Sequence, residues 1–388
     1  MISLFTSLSK LWRIRHVHID GLVFRLHYML TVIILLSFCI INSSKQLLGE
    51  PIVCETSRGA IDAKIINTFC YIHYTYTVFD ATDQKTSRTD PHLHRSIGAD
   101  SDRIAPTNHP YYQWVWCVLL LQSICFYIPH WLWKCCEGNK ISSLVSSDLN
   151  YFDDTAKDQK IALIVHYLKE SRGRHDWFAI KYFACEALAL FNAIIQIVAN
   201  NAFLDERYAT YGRDILVDWW TKSDPKITAD PMERNFPILS KCRYISYGSS
   251  GGPERIDAMC VLSINIYNQK IYLFIWFWLY FLVAVTALLM VHRFILLSWP
   301  LMRYYQLRCR MDSSAIAGDN QCKRKQMVCD LQVGDWFILY LVSLNTEPII
   351  FGQIVDQLSQ SVPIRDRFNS RFFAIEGTNL SVAECSKM

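Results

Sequence analysis

Four blocks of mostly apolar residues dominate the pattern of hydrophobic and polar positions along the chain. They cover residues 23–41, 111–133, 178–200 and 271–296. A helix needs roughly 20 apolar residues to cross a hydrocarbon core about 30 Å thick, and each block approaches or reaches that length. The pattern therefore predicts an all-α integral membrane protein in which four transmembrane helices form a bundle.

The blocks differ in how cleanly they fit a membrane span. The stretch from Ile271 to Val291 contains no charged residue, which soluble proteins rarely bury at such length. The third block carries Lys181, which can reach the interface, and Glu186, which lies deeper. A soluble amphipathic helix is the competing interpretation of this block. Its length and the flanking Trp177 favour a span.

Glu186 is the one acidic residue that the pattern places inside a span. A carboxylate facing lipid is costly, so we expect this side chain to pack against a neighbouring helix or subunit. Polar residues of adjacent spans, such as Gln122 and Thr286, are its expected partners. Two roles remain open for it: stabilising the assembly and lining a pore.

Basic residues near the chain ends predict the orientation. The N-terminal region carries one acid, Asp20, against four bases: Lys10, Arg13, Arg15 and Arg25. Residues 293–325 carry seven bases against two acids. Because cytosolic flanks of spans are rich in Lys and Arg, both termini are predicted to be cytoplasmic.

This orientation divides the chain into alternating compartments. Three segments become cytoplasmic, with a helical domain expected among them: the N-terminal segment 1–22, the loop 134–177 and the C-terminal region 297–388. Two become extracellular loops: 42–110 and 201–270. Within those loops, the β-branched and aromatic run Tyr71–Phe79 predicts a short strand, and Tyr247–Pro253 predicts a turn.

The predicted orientation makes the cysteines informative. Each extracellular loop holds two cysteines: Cys54 and Cys70 in the first, Cys242 and Cys260 in the second. An even number in an oxidising compartment predicts two disulfides, for which three pairings are possible. The remaining ten cysteines lie in spans or in the reducing cytosol and are expected to be thiols.

The second span carries two local features. Aromatic side chains at its outer end are expected to anchor it as a belt at the membrane–water interface: Tyr111, Tyr112, Trp114 and Trp116. Near its cytosolic end, Pro129 removes a backbone donor and should bend the helix. A static kink is favoured over a gating hinge there.

Composition and motifs argue against other classes of function. The chain is 52% hydrophobic and 19% charged, and its net charge of +4 is too small to indicate nucleic-acid binding. The sequence contains no Gly-rich phosphate loop, H-E-x-x-H or Cys-x-x-Cys motif, so we predict no enzyme and no cofactor. The histidine pairs at 16/18 and 92/94 lack further ligands at metal-binding spacing. Repeated halves with broken spans, typical of secondary transporters, are not seen.

The start of the second span resembles a known family. Residues Tyr111-Tyr112-Gln113-Trp114-Val115 read YYQWV, which is similar to the signature pentapeptide of the innexins. Further stretches resemble the same family: GEPIVC at 49–54, FYIPHWLWK at 126–134, LSINIYNQK at 262–270 and GDWF at 334–337. The chain departs from the family pattern at Ser240, where Thr is expected, and at His130, where Arg is common.

The resemblance implies a subunit of a gap-junction channel in the plasma membrane. Subunits of such a family assemble into an octameric hemichannel, with themselves or with other innexins, among membrane lipids. The hemichannel docks onto that of the neighbouring cell, and ions and small metabolites diffuse through. The alternative is an undocked hemichannel that releases small molecules to the outside.

The resemblance also implies particular roles for individual residues. It favours disulfides that join the two loops, Cys54 to Cys260 and Cys70 to Cys242. It places the amphipathic N-terminal helix in the cytosolic pore mouth, with Ile2 and Ser3 near the constriction. A helix lying on the inner leaflet is the other interpretation of that segment.

Overall fold

The structure is a computed structural model of the chain. It describes residues 17–56, 62–73, 75–77, 107–145, 154–221, 231–247, 250–311 and 321–361. The predicted pore-mouth residues, Ile2 and Ser3, lie outside the described residues.

Within these described ranges, four helices are long and apolar enough to cross a membrane: α1 (Leu22–Leu48), α3 (Val115–Glu137), α6 (Asp176–Phe203) and α9 (Ser263–Ser298). The prediction of four long apolar helices is therefore confirmed. Helices α1, α6 and α9 extend beyond the predicted spans at both ends, whereas α3 starts at Val115, after a single 3₁₀ turn at Tyr111–Gln113. The 36 residues of α9 extend about 54 Å, well beyond the thickness of a hydrocarbon core.

The chain divides into two compact units. One, the sheet unit, comprises Leu26–Ile128 and Ala189–Val285. The other, the helical unit, comprises Met1–Arg25, Pro129–Leu188 and Thr286–Met388. Each unit is thus built from segments that are far apart in sequence.

The sheet unit contains a five-stranded antiparallel sheet. Its strands are β1 (Val53–Thr56), β2 (Thr75–Thr77), β3 (Thr107–His109), β4 (Leu239–Tyr247) and β5 (Pro253–Val261). They are ordered β1-β5-β4-β2-β3, so β4 and β5, from the segment before α9, lie between β1 on one side and β2 and β3 on the other, which come from the segment between α1 and α3. The nine-residue strands β4 and β5 flank the predicted turn, with Tyr247 opposite Pro253.

The strand predicted over Tyr71–Phe79 is shorter than expected. Helix α2 (Ala63–Ile72) covers its first residues, and β2 occupies only Thr75–Thr77, while residues beyond Thr77 lie outside the described part. The carboxylate of Asp62 caps α2 by accepting a hydrogen bond from the Lys64 amide at 3.0 Å. This cap and the buried face of α2 favour helix over the local β propensity.

Short helices occupy the segments of the helical unit that are predicted to be cytosolic. They are α4 (Lys140–Val145), α5 (Asp154–Glu170), α10 (Pro300–Arg308), α11 (Gln321–Asp330), α12 (Val333–Asn345) and α13 (Pro348–Ser361). Helix α12 is apolar and buried over most of its length. Aromatic rings pack at its start. The ring centroid of Tyr182 lies 4.8 Å from that of Phe337 and 4.8 Å from that of Trp133.

Two small helices complete the sheet unit: α7 (Tyr208–Thr221) and α8 (Pro231–Asn235). Helix α1 includes a π-helical turn at Leu26–Leu30, after which the Thr31 hydroxyl bonds the Leu26 carbonyl at 2.8 Å. Pro129 lies inside α3, and the helix continues through it to Glu137. The kink at Pro129 remains a prediction.

Candidate functional site

Among the described residues, two disulfides cross-link the sheet: one joins two of its own strands, and the other joins it to α2. Cys54 of β1 is bonded to Cys260 of β5, and Cys70 of α2 is bonded to Cys242 of β4. All four cysteines are buried, and the bonds join positions 206 and 172 residues apart. Of the three possible pairings, the structure contains the one that the family resemblance implies.

The same cysteines explain an apparent metal cluster. The sulfur atoms of Cys54, Cys70 and Cys260 lie within 4.8 Å of one another, a spacing that could hold an ion. All three are consumed in disulfides, so no thiolate is free to act as a ligand. The cluster is therefore a pair of neighbouring cross-links.

The two tyrosines of the YYQWV motif are buried beside these cross-links. Tyr112 is fully buried, and its hydroxyl donates to the Cys70 carbonyl at 3.3 Å. The side-chain amide of Gln113 donates to the carbonyls of Tyr71 and Ile72. The last carbonyls of a helix lack partners within it, so the motif satisfies the C-terminal end of α2.

Tyr111 connects the motif to the start of α9. Its hydroxyl accepts a hydrogen bond from the Asn265 side chain at 3.0 Å, and its ring lies 5.6 Å from that of Phe236. The prediction of an interfacial aromatic belt is thus wrong for Tyr111 and Tyr112, because both hydroxyls are used inside the protein. Trp114 and Trp116 are exposed and still fit the belt.

A chain of buried asparagines links α1 to α9. Asn42 donates to Asn268 at 2.5 Å, Asn268 donates to Asn265 at 3.2 Å, and Asn265 donates to the Pro237 carbonyl at 2.8 Å. All three asparagines are fully buried. From the sequence alone, these asparagines were given no role. The available signal was a pair of asparagines three residues apart near the start of a long apolar helix, because buried polar side chains need hydrogen-bond partners.

His109 of β3 is a buried titratable group in the sheet. Its Nε2 hydrogen-bonds the Thr77 hydroxyl at 2.7 Å. Burial, with a smaller contribution from the Arg207 charge, lowers the pKa of His109 to about 4. The imidazole is therefore neutral at physiological pH.

Glu186 pairs with a cation that sequence reasoning placed elsewhere. Its carboxylate accepts two hydrogen bonds from the Arg293 guanidinium, both at 3.0 Å, and both side chains are buried. Arg293 also lies over the rings of Tyr182 and Phe183, 5.7 and 5.4 Å from their centroids. Two parallel hydrogen bonds between a guanidinium and a carboxylate are among the strongest hydrogen-bonding arrangements in proteins.

The expected partners of Glu186 therefore need correction. Gln122, one of them, donates its amide to Asn200 at 2.6 Å in the sheet unit. By its position in the sequence Arg293 belongs to the basic cluster near the end of the last span, but in the structure it lies inside α9 and is paired. Charge counting by sequence position cannot distinguish a snorkelling base from a paired one.

The segment that precedes α1 is held by three elements of the helical unit. Asn345 of α12 accepts from the His18 amide at 2.5 Å and donates to the His18 carbonyl at 2.7 Å. Trp133 donates to the Ile19 carbonyl at 3.0 Å, and the Gly21 amide donates to the Tyr182 hydroxyl at 2.8 Å. The backbone at His18, Ile19 and Gly21 is therefore anchored to the helical unit.

The GDWF motif at 334–337 locks a helix start. A Cβ atom on Gly334 would lie 2.1 Å from the His175 carbonyl carbon, so only glycine fits. The Gly334 amide donates to Asp176 at 2.8 Å, and Asp335 accepts from His175 Nδ1 and from the Gly173 amide at 2.9 and 2.8 Å. The motif thus holds the turn that precedes α6.

These features define a class of protein. Four helices have the length and composition of membrane spans, and a disulfide-bonded sheet combines the segments between α1 and α3 and between α6 and α9. This combination is typical of a polytopic membrane protein with disulfide-bonded segments between its long apolar helices.

Comparison with known proteins identifies the family. The family model for Innexin matches residues 20–362. The chain is 37% identical over 361 residues to Innexin shaking-B of Drosophila melanogaster, covering 92% of this chain and 94% of the relative. It is 36% identical to Innexin inx2 of Drosophila melanogaster, with coverages of 93% and 96%. It is 37% identical to Innexin inx2 of Schistocerca americana, with coverages of 93% and 98%.

The chain belongs to the innexin family. Innexins are membrane proteins that form the oligomeric channels of gap junctions, and they are not enzymes.

Proposed function

We propose that this chain is a subunit of an intercellular channel. Subunits assemble as an octamer in the plasma membrane, alone or with other innexins, and the resulting hemichannel docks onto that of an adjacent cell. Ions and small metabolites diffuse through the joined pore. Innexins as a family form gap-junction channels. The part proposed for this chain is that its own hemichannels dock and conduct between cells.

The membrane topology is part of the proposal. Helices α1, α3, α6 and α9 cross the membrane, both termini are cytoplasmic, and segments 42–110 and 201–270 face the extracellular gap. Two observations support this orientation. Basic residues are in excess near both ends, as in cytosolic flanks. Both disulfides lie in the two segments assigned to the exterior, where such bonds persist.

The observation that carries the proposal is the shared, cross-linked sheet. Strand β1, from before α3, pairs with β5, from before α9, and Cys54 lies opposite Cys260 in that pair. Two long loops that would otherwise move independently become one body. A preorganised surface loses less conformational freedom on association, so this body suits docking between two cells.

Paired-cell electrical recording tests the proposed function. Expression in both cells of a pair should produce junctional conductance, and pairs without the protein should show none. Cys242→Ser removes one cross-link and should abolish junctional conductance, while the chain still reaches the surface by biotinylation. Cys125→Ser alters a thiol that is free in the structure and should leave conductance unchanged.

Two results would redirect the proposal. Single-membrane currents without junctional conductance, from protein located at cell contacts, would favour the undocked hemichannel. A Cys242→Ser protein that conducts between cells like the unaltered chain would show that docking does not need the cross-linked sheet.

A further inference from the structure

The second half of α7 exposes four large apolar side chains. Leu216 and Val217 are 48% and 51% exposed, and Trp219 and Trp220 are 74% and 82% exposed. We call these four residues the α7 apolar face. Adjacent exposed tryptophans are unfavourable in water, because each ring carries a large apolar area. Such a patch indicates a surface that is covered in the working protein.

The first half of α7 is fixed against α9, within the sheet unit. Tyr208 and Tyr211 are buried, and the Tyr211 hydroxyl donates to the Gln269 carbonyl at 3.0 Å. A Cβ atom on Gly212 would lie 2.3 Å from the indole of Trp276, so the two helices touch at this glycine. The apolar face therefore extends from a rigid attachment.

One side of α7 is directed toward the outer part of the predicted fourth span. The Ala209 carbonyl accepts from Trp276 Nε1 at 3.2 Å and from the Tyr280 hydroxyl at 3.4 Å. Successive helix residues rotate by about 100°, so positions seven and eleven residues later return to within about 20° of Ala209. Those positions are Leu216 and Trp220.

The attachment point lies close to the predicted membrane boundary. Trp276 is five residues inside the span predicted to start at Ile271, which corresponds to about 8 Å along the helix. Helices that lie in the membrane interface bury their apolar face about 5–10 Å into the boundary between headgroups and acyl chains, which matches this depth. Phe277 and Phe281 of α9 are 40% and 49% exposed, so the surface beside the attachment is itself apolar.

The charges of α7 are placed to suit a lipid surface. Asp214 and Asp218 lie two residues before and after Leu216, which puts both on the side of the helix opposite Leu216. Arg213 is exposed one turn before Leu216 and Val217 and in line with the apolar face, and its long side chain can extend its guanidinium to a lipid phosphate. Tryptophan is enriched at this depth because its ring is apolar and its N–H is polar.

We propose that the α7 apolar face inserts into the outer leaflet at the boundary between headgroups and acyl chains, beside the fourth span. This inference rests on the proposed topology for its leaflet. A second copy of the chain is the competing occupant. Lipid is favoured because the same side of α7 bonds Trp276 and Tyr280, whose helix is one of the four long enough to span a membrane.

Site-specific photo-crosslinking tests the proposal. The photoreactive residue p-benzoyl-phenylalanine replaces Trp220 in the full chain, which is reconstituted as the assembled protein in phosphatidylcholine and phosphatidylserine liposomes. Illumination should yield a phospholipid adduct, detected by mass spectrometry. The same probe at Asp214, on the opposite side of α7, should yield none. The probe at Phe281 is the positive reference for a lipid-facing position.

Each other outcome overturns the proposal. A covalent dimer from the Trp220 probe would assign the α7 apolar face to a contact between copies. An adduct from Phe281 with none from Trp220 would show that the face is exposed to water. Junctional conductance of the unaltered chain is recorded separately, so either failure leaves the proposed function standing.

Discussion

At the scale of single residues, the Glu186–Arg293 pair is the clearest case of a side chain that matters through its partner. Both groups are buried, and each satisfies the other through two hydrogen bonds. A buried pair contributes little net stability over a well-packed apolar pair, but the loss of one partner leaves an uncompensated charge. The pair therefore favours the structural role for Glu186 over the pore-lining one.

Glu186→Gln should destabilise the protein, because Arg293 would stay charged without its counterion. We expect a loss of about 3–5 kcal/mol, measured as a lower melting temperature of the assembled protein in detergent. The double variant Glu186→Gln with Arg293→Met removes both charges and should recover most of that loss. A Gln variant with unchanged melting but altered cation selectivity would instead place Glu186 in the pore.

His109 makes the sheet unit sensitive to acid. Its pKa is about 4 in the folded chain, against 6.5 for a histidine exposed to water, so the unfolded chain binds the proton first as the pH falls. The stability contributed by the neutral imidazole is therefore complete above pH 6.5 and is lost progressively toward pH 4. At pH 5 the loss should be about 2 kcal/mol.

Melting curves at about pH 7.5 and pH 5 measure this dependence, because the two values lie above and within the range in which the imidazole titrates. His109→Gln can keep a hydrogen bond to Thr77 but does not titrate, so its melting temperature should change less with pH than that of the unaltered chain. An equal change in both proteins would assign the acid sensitivity to other groups.

At the scale of elements, glycines decide where helices can approach. Gly334 lets α12 start against the backbone of His175, and Gly212 lets α7 cross α9 at Trp276. Such contacts cannot be made by any residue with a side chain, so they fix the positions of whole helices. The GDWF motif is thus explained by packing and capping in the helical unit, with no need for a binding role.

Gly334→Ala should disrupt the helical unit, because its new methyl group would overlap the His175 backbone at 2.1 Å. Overpacking against backbone costs about 3 kcal/mol or more, since the backbone cannot rotate away. Gly252→Ala is the matched control, because its nearest neighbour is a serine side chain at 3.9 Å. Yield of assembled protein on size-exclusion chromatography compares the two. Equal yields would contradict the packing argument.

At the scale of the whole molecule, the features that could be predicted were those with a signal in one stretch of sequence or in a resemblance to a family. The apolar blocks indicated the four long helices, because the length needed to span lipid is visible in one stretch of chain. The joining of strands from both loops into one sheet was not predicted. Val53 pairs with Val261, and nothing in the sequence around either residue indicates such a distant partner. For the same reason Tyr112 was expected at a membrane interface, whereas it packs beside the disulfide of Cys70.

The N-terminal segment is the part of the chain that we propose enters the cytosolic pore mouth. The helical unit holds His18 and Ile19 through Asn345 and Trp133, so the segment that precedes them starts from a fixed point. If that segment folds into the cytosolic pore mouth, Ile2 lies near the constriction. A cationic thiol reagent applied from the cytosol to Ile2→Cys channels should then reduce conductance strongly. The unaltered chain, with its exposed thiols at Cys135 and Cys309, controls for background labelling. Full labelling of the introduced cysteine by mass spectrometry in an open channel, without a change in conductance, would place the segment on the inner leaflet.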